Sequence, residues 1–232
     1  MKMILSKRTQ FYNLITLLIY LFIFTITLNG QDKFKVTRLT FDPGQEGFAT
    51  WSPDSKKIIY QFTNLRDTLG KNGLWKISPD GTGKEQIFKS LAEHAKWSPD
   101  GKYIVFDADT GNSIKLIQVE GGNPIIFLPD SIQIINGGMP CWSPDGLKIA
   151  FRDGRTSSLC VAEIKTGKVN QIFRQEGMNP LPGCWTTDGK NILIALMERQ
   201  TRKCTLWKIS SDGNKQKQIT GHHENFYRHL AL

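Results

Sequence analysis

Beyond residue 30, hydrophobic residues fall in short runs, each closed by a cluster of polar, Gly or Pro residues. No window there repeats its apolar positions at the three-and-four spacing of a helix. Short runs rich in β-branched and aromatic residues, bounded in this way, predict strands. One set reads Lys57 to Tyr60, Lys102 to Phe106, Lys148 to Phe151 and Asn191 to Ile194. A second set reads Leu74 to Ile77, Ile114 to Ile117, Val161 to Ile164 and Leu206 to Ile209, closed by Gly-bearing turns at Gly81, Gly121, Gly167 and Gly213. A third set follows those turns: Gln86 to Phe88, Ile125 to Phe127, Gln171 to Phe173 and Gln218 to Thr220.

The order of these runs repeats with a marker. Trp51-Ser-Pro-Asp-Ser, Trp97-Ser-Pro-Asp-Gly, Trp142-Ser-Pro-Asp-Gly and Trp185-Thr-Thr-Asp-Gly stand 46, 45 and 43 residues apart. In Ser-Pro-Asp-Gly, Pro presets φ at the second turn position and Gly accepts a positive φ at the last, so each marker joins a strand ending in Trp to the next one. Four strands per unit at a period of about 45 residues predict an all-β fold, a β-propeller of four-stranded blades with four complete blades. Val36 to Thr40 reads as a fourth strand preceding them, and Phe226 to Leu232 as a first strand following them, with Leu232 47 residues after Trp185. These leftovers are an outermost and an innermost strand, which are not neighbours. The expectation is therefore a piece of a larger, six-bladed ring, whose open edges would invite self-association.

Residues 1–30 read as a leader: Lys2, Lys7 and Arg8 precede an apolar run from Leu14 to Leu28, and Gly30 offers a small residue for cleavage. An uncleaved membrane anchor is the competing reading. Residues 31–232 then form the propeller. Net charge is +9, of which the leader's three cations account for a third. The remaining positives are scattered, with no Lys/Arg run of the kind that tracks nucleic acid, which excludes that partner class. Cys141, Cys160, Cys184 and Cys204 contain no Cys-x-x-Cys pair. In an exported protein they allow up to two disulfides in three connectivities, while Cys141 and Cys184, each directly before a repeat Trp, also read as small buried packing residues.

Catalytic and cofactor signatures fail. Gly111-Asn-Ser-Ile-Lys115 lacks the closing Gly of a nucleophile elbow, and Gly81-Thr-Gly-Lys84 carries Glu85 where a phosphate loop needs Ser or Thr. The weak metal candidates are His222, His223 and His229, three of the four histidines. His223-Glu224 opens like a zinc-protease motif, but Tyr227 stands where its second His is required. Asp54, Asp100, Asp145 and Asp188 recur because an Asp in a tight turn accepts backbone N–H groups two residues on. Trp51, Trp97, Trp142 and Trp185 recur because a large aromatic fills the wedge between radially arranged blades.

Trp97 to Phe106 and Trp142 to Phe151 follow the pattern Trp-Ser-Pro-Asp-Gly-Lys-x-Ile-x-Phe closely, and over residues 34 to 232 the chain resembles the TolB-type (PD40, or WD40-like) propeller repeat. Ser55 in the Gly position and Thr187 in the Pro position depart from it. The resemblance implies a non-catalytic scaffold in the periplasm, or secreted, that contacts a protein or peptide of the bacterial cell envelope and needs no cofactor. The propeller that gates prolyl-oligopeptidase-type serine peptidases is similar too, which leaves open a role beside a hydrolase domain. A carbohydrate- or metal-binding propeller is a weaker alternative.

Overall fold

The turns fold as their residue types require. In the computed structural model, which describes residues 36–129, 132, 134–135 and 138–221, Asp100 Oδ1 accepts the Ser98 hydroxyl (2.6 Å) and the Lys102 N–H (3.1 Å). Ser98 Oγ in turn accepts the Tyr103 N–H at 2.9 Å, and Gly101 donates its N–H to the Ser98 carbonyl at 2.9 Å. The same wiring recurs around Asp54, Asp145 and Asp188. Gly101, Gly146 and Gly189 sit at φ of 71°, 71° and 68°, and Ser55 takes the same left-handed position at 59° without glycine's freedom. Thr186 replaces the turn Ser through its own hydroxyl, donating to Asp188 at 2.6 Å.

Each turn launches a blade in the unit that begins at Leu39. Blade 1 is β1 (Gln45–Trp51), β2 (Ile58–Thr63), β3 (Gly73–Ile77) and β4 (Glu85–Phe88). Blade 2 is β5 (Ala92–Trp97), β6 (Tyr103–Ala108) and β7 (Ser113–Gln118), with a 3-10 turn at Asp109–Gly111. Blade 3 is β8 (Cys141–Trp142), β9 (Lys148–Asp153), β10 (Ser158–Glu163) and β11 (Val169–Arg174). Blade 4 is β12 (Met178–Trp185), β13 (Asn191–Glu198), β14 (Cys204–Ser210) and β15 (Gln216–Gln218). Strands are antiparallel and hydrogen-bonded in chain order within each blade, the meander of a β-propeller.

The structure corrects the sequence reading in several places. The outer strand expected at Ile125 to Phe127 is reduced to one bridge, in which Leu116 and Ile125 exchange both N–H···O bonds (3.0 and 2.7 Å). Pro124 next to it offers no N–H, and Gly121 and Gly122 both take positive φ, so the segment before Ile125 stays out of the ladder. The last strand lies at Gln216–Gln218, slightly before the expected Gln218 to Thr220. Val36 to Thr40 forms no strand. Phe226 to Leu232 lies outside the described residues.

The core lies between blades. Ile59, Leu74 and Ile87 of blade 1 pack on Ala95, Ile104 and Phe106 of blade 2. Val105 and Leu116 of blade 2 meet Ile149, Phe151 and Cys160 of blade 3. Leu159, Val161 and Phe173 of blade 3 meet Ile192, Ile194 and Leu196 of blade 4. An inner blade thus buries both faces, which is why its central strands read as continuous apolar runs. Among the described residues no helix is long and apolar enough to cross a membrane.

Candidate functional site

Every inner strand delivers its Trp and then its turn to the same end of the fold. The Trp97 indole N–H donates to the Thr50 carbonyl (3.2 Å), Trp142 to Lys96 (3.1 Å) and Trp185 to Cys141 (3.2 Å). Each acceptor is the residue just before the preceding blade's Trp, so the indoles form a ladder that ties blade to blade. Trp185, in blade 4, is 6% exposed, whereas Trp51, in blade 1, is 54% exposed and has no indole hydrogen bond among the described residues. The turns stack likewise: a Cβ at Gly101 would touch Pro53, one at Gly146 would touch Pro99, and one at Gly189 would touch Pro144, at 3.7–3.9 Å.

Two open hollows lie along this stacking. The first, about 550 Å³, lies along the ladder and is walled by the four tryptophans together with Pro53, Pro99, Pro144, Lys96, Cys184 and Thr187. The second, about 630 Å³, lies between blades 2 and 3, with Tyr103, Leu116, Phe127, Trp142 and Ile164 in its wall and Asp100 and Asp145 also lining it. Ser98, Pro99, Trp142 and Pro144 line both, so the two are adjoining parts of one depression. Volumes of this size suit a small molecule or a few peptide side chains. The Asp100 and Asp145 carboxyls are held below the ordinary carboxylate value, first by the Ser98 and Ser143 hydroxyls and then by the Lys102 and Leu147 backbone N–H groups. Both are therefore anionic at neutral pH.

The opposite ends of the inner strands carry a cluster that sequence reasoning missed. β1 and β5 break register, between Gly47 and Thr50 and between Glu93 and Lys96, and Phe48, His94 and Met139 take φ of 50°, 52° and 51°. All three stand three residues before a repeat Trp. The bulge turns the His94 ring against Phe48 (4.4 Å between centroids) and sets its Nδ1 2.8 Å from Asp107 Oδ2. Asp107 is wholly buried and also accepts the Gly138 N–H (2.9 Å) and the Met139 N–H (3.1 Å). Nearby, Arg152 donates to the Ile135 carbonyl at 2.8 Å, and burial lowers its guanidinium pKa. The carboxylate draws blades 2 and 3 together by bonds to backbone donors, a structural latch. Only a period-three offset from Trp, occupied by Phe, His and Met, hinted at it in the sequence.

The repeat tryptophans and the turn aspartates Asp100 and Asp145 are thus gathered at one end. His222, His223 and His229 lie outside the described residues. Among the described residues no three His, Cys, Asp or Glu side chains converge as a metal site. All four cysteines are free thiols, and burial pushes Cys141 and Cys160 up to about 12.

No family model matches the chain. It is 28% identical over 148 residues to an uncharacterized protein of Agrobacterium fabrum, covering 56% of this chain and 47% of that one. It is 27% identical over 148 residues to the Tol-Pal system protein TolB of Francisella tularensis subsp. mediasiatica, covering 60% of this chain and 31% of that one. The chain therefore spans less than half the length of these curated relatives. Among solved structures it resembles TolB from Acinetobacter baumannii with a TM-score of 0.60 at 21% identity, over 77% of this chain and 44% of that one. An oligogalacturonate lyase in complex with manganese shares the fold with a TM-score of 0.55 at 17% identity, over 69% of this chain and 47% of that one. Blade order and these likenesses give the chain a β-propeller fold similar to that of TolB.

Proposed function

We propose that this chain is an exported, non-catalytic propeller that binds a protein or peptide of the bacterial cell envelope, as its likeness to TolB suggests, through the end where the tryptophan ladder and the turns meet. The observation that carries this reading is the depression along the ladder: aromatic and proline side chains from all four blades converge on one face instead of being spent inside one blade. Fixed rings flanked by backbone carbonyls and carboxylates suit an extended peptide, because they offer apolar contact and polar registration at low entropic cost. Export rests on the leader read in residues 1–30, and a TolB-type propeller of the envelope is the setting in which these features cohere.

The test is a photo-cross-linking amino acid placed at Thr187, exposed at the rim of the ladder cavity, and, as control, at Gln200 in the β13–β14 turn. Expressed in the source bacterium, the Thr187 variant is expected to give a discrete protein adduct in the envelope fraction, and the Gln200 variant none. Equal adducts from both positions, or none from either, would overturn the assignment of this face.

A further inference from the structure

Where blade 2 fails to form its outer strand, the cleft between blades 2 and 3 stays open and apolar. Its rim carries Ile125 and Leu147, which are 47% and 63% exposed, and Ile126 beside them is exposed as well. Within, the Trp142 and Tyr103 rings contribute to the wall, and Asp100 and Asp145, from consecutive repeat turns, place two carboxylates on the same lining. In a chain whose net charge is +9, an anionic mouth on an aromatic cleft departs from the general charge of the molecule.

We propose that this cleft is a receptor for a basic side chain flanked by apolar ones, on an extended peptide of the partner that also crosses the tryptophan ladder. The inference rests on the reading of that face as the binding face and adds to it the chemistry of the partner. An Arg or Lys entering here meets two carboxylates held ionised by their turns, together with the face of an aromatic ring, and both attract a cation. Its aliphatic neighbours cover Ile125 and Leu147, surface that a monomer otherwise leaves wet. An acidic peptide meets like charge and is rejected. Lys102 lies 3.8 Å from Asp100, and Lys148, at the start of β9, is close to Asp145, but neither lysine lines the cleft. Because the two cavities share Pro99, Trp142 and Pro144, one continuous segment of a few residues can occupy both.

The experiment is a fluorescence-anisotropy titration of the full chain with a labelled peptide of sequence Gly-Ser-Leu-Arg-Phe-Leu-Arg-Leu-Gly-Ser, and with the same peptide bearing Gln or Glu in place of Arg. The basic peptide is expected to bind about tenfold or more tightly than the Gln peptide at low ionic strength, a margin that narrows as salt rises toward 0.5 M. The Asp100→Asn, Asp145→Asn double variant keeps a side-chain oxygen for the turn N–H groups while removing both charges, so it should lose the preference for Arg and leave binding of the Gln peptide unchanged. Leu147→Lys, at a rim position 63% exposed, removes apolar contact that both peptides share and adds a cation, so it should weaken the Arg peptide more than the Gln peptide. Equal binding of the Arg and Gln peptides, binding of none of the three, or a preference for Arg that survives both sets of substitutions would overturn the proposal. Cross-linking from Thr187 that persists in the Leu147→Lys background, alongside a negative titration, would leave the face assignment standing and remove only the basic-peptide inference.

Discussion

Replacing each repeat tryptophan by Phe keeps an aromatic ring and deletes the indole N–H, so the four variants dissect the ladder. Trp185 is nearly buried, and its partner is the carbonyl of buried Cys141. Leaving that acceptor without its donor costs about 1–2 kcal/mol, and the smaller ring forfeits two to three buried carbon equivalents, about 2 kcal/mol. Trp185→Phe should therefore destabilise by about 3 kcal/mol. Trp97 and Trp142 are half-buried, so the same bond plus about half the apolar loss gives about 2 kcal/mol. Trp51 is mostly exposed and has no indole acceptor among the described residues, so Trp51→Phe should cost under about 0.5 kcal/mol. Urea unfolding followed by far-UV circular dichroism reads these differences without relying on the substituted fluorophore, and thermal melts should show drops of about 6–12 °C for Trp185→Phe and almost none for Trp51→Phe. Equal losses at Trp185 and Trp51, which differ both in burial and in the indole hydrogen bond, would refute this reasoning.

Three further outcomes are expected. Asp54, Asp100, Asp145, Asp188 and Asp212 all have carboxyl pKa values lowered from the ordinary 3.8 by turn hydroxyls and N–H groups, so the unfolded chain binds the extra protons; stability should be level above about pH 5 and fall as pH drops through 4 and below, and a melting temperature unchanged between pH 6 and 3 would contradict it. With Cys141 and Cys160 pushed up to about 12 and buried, both thiols should stay unmodified by Ellman's reagent at pH 8 in the native protein and react at once in urea; rapid native labelling of either, located by peptide mapping, would refute their burial. Gly73 sits at φ 144°, and a Cβ there would lie 1.8 Å from the Phe88 carbonyl oxygen, so Gly73→Ala should cost more than about 3 kcal/mol, against about 1 kcal/mol for Gly70→Ala, which is left-handed but open; equal denaturation midpoints would contradict the close approach of β3 to β4.

Local chemistry made the architecture legible in the sequence. A Ser-Pro-Asp-Gly turn closes on its own atoms, Asp100 binding Ser98 and Lys102 within five residues, so the same four residues produce the same turn wherever they occur. Four such turns at a nearly constant interval, with apolar runs between, determine four meandering blades. The strands nevertheless run further than the apolar runs did. β6 continues through Asp107 and β9 through Arg152, polar residues that look like loop in the sequence but are buried with partners from other segments, and β9 ends on Asp153, which accepts from the Arg155 N–H and the Thr156 hydroxyl just after it. The failed outer strand of blade 2 is the converse case: Ile125 to Phe127 has strand composition, yet the Gly-Gly-Asn-Pro stretch before it permits only one bridge.

What the tertiary structure alone decided are the contacts made across a full repeat. The Trp97 indole meets the Thr50 carbonyl 47 residues away, His94 meets Asp107 only because a bulge reverses its side chain, and the cleft holding Asp100 and Asp145 exists only where two blades stand side by side. Periodicity in a sequence reports which face of a strand is buried, since that depends on nearest neighbours along the chain. It carries no record of which distant carbonyl or carboxylate that face will meet, because that is set by how the blades pack.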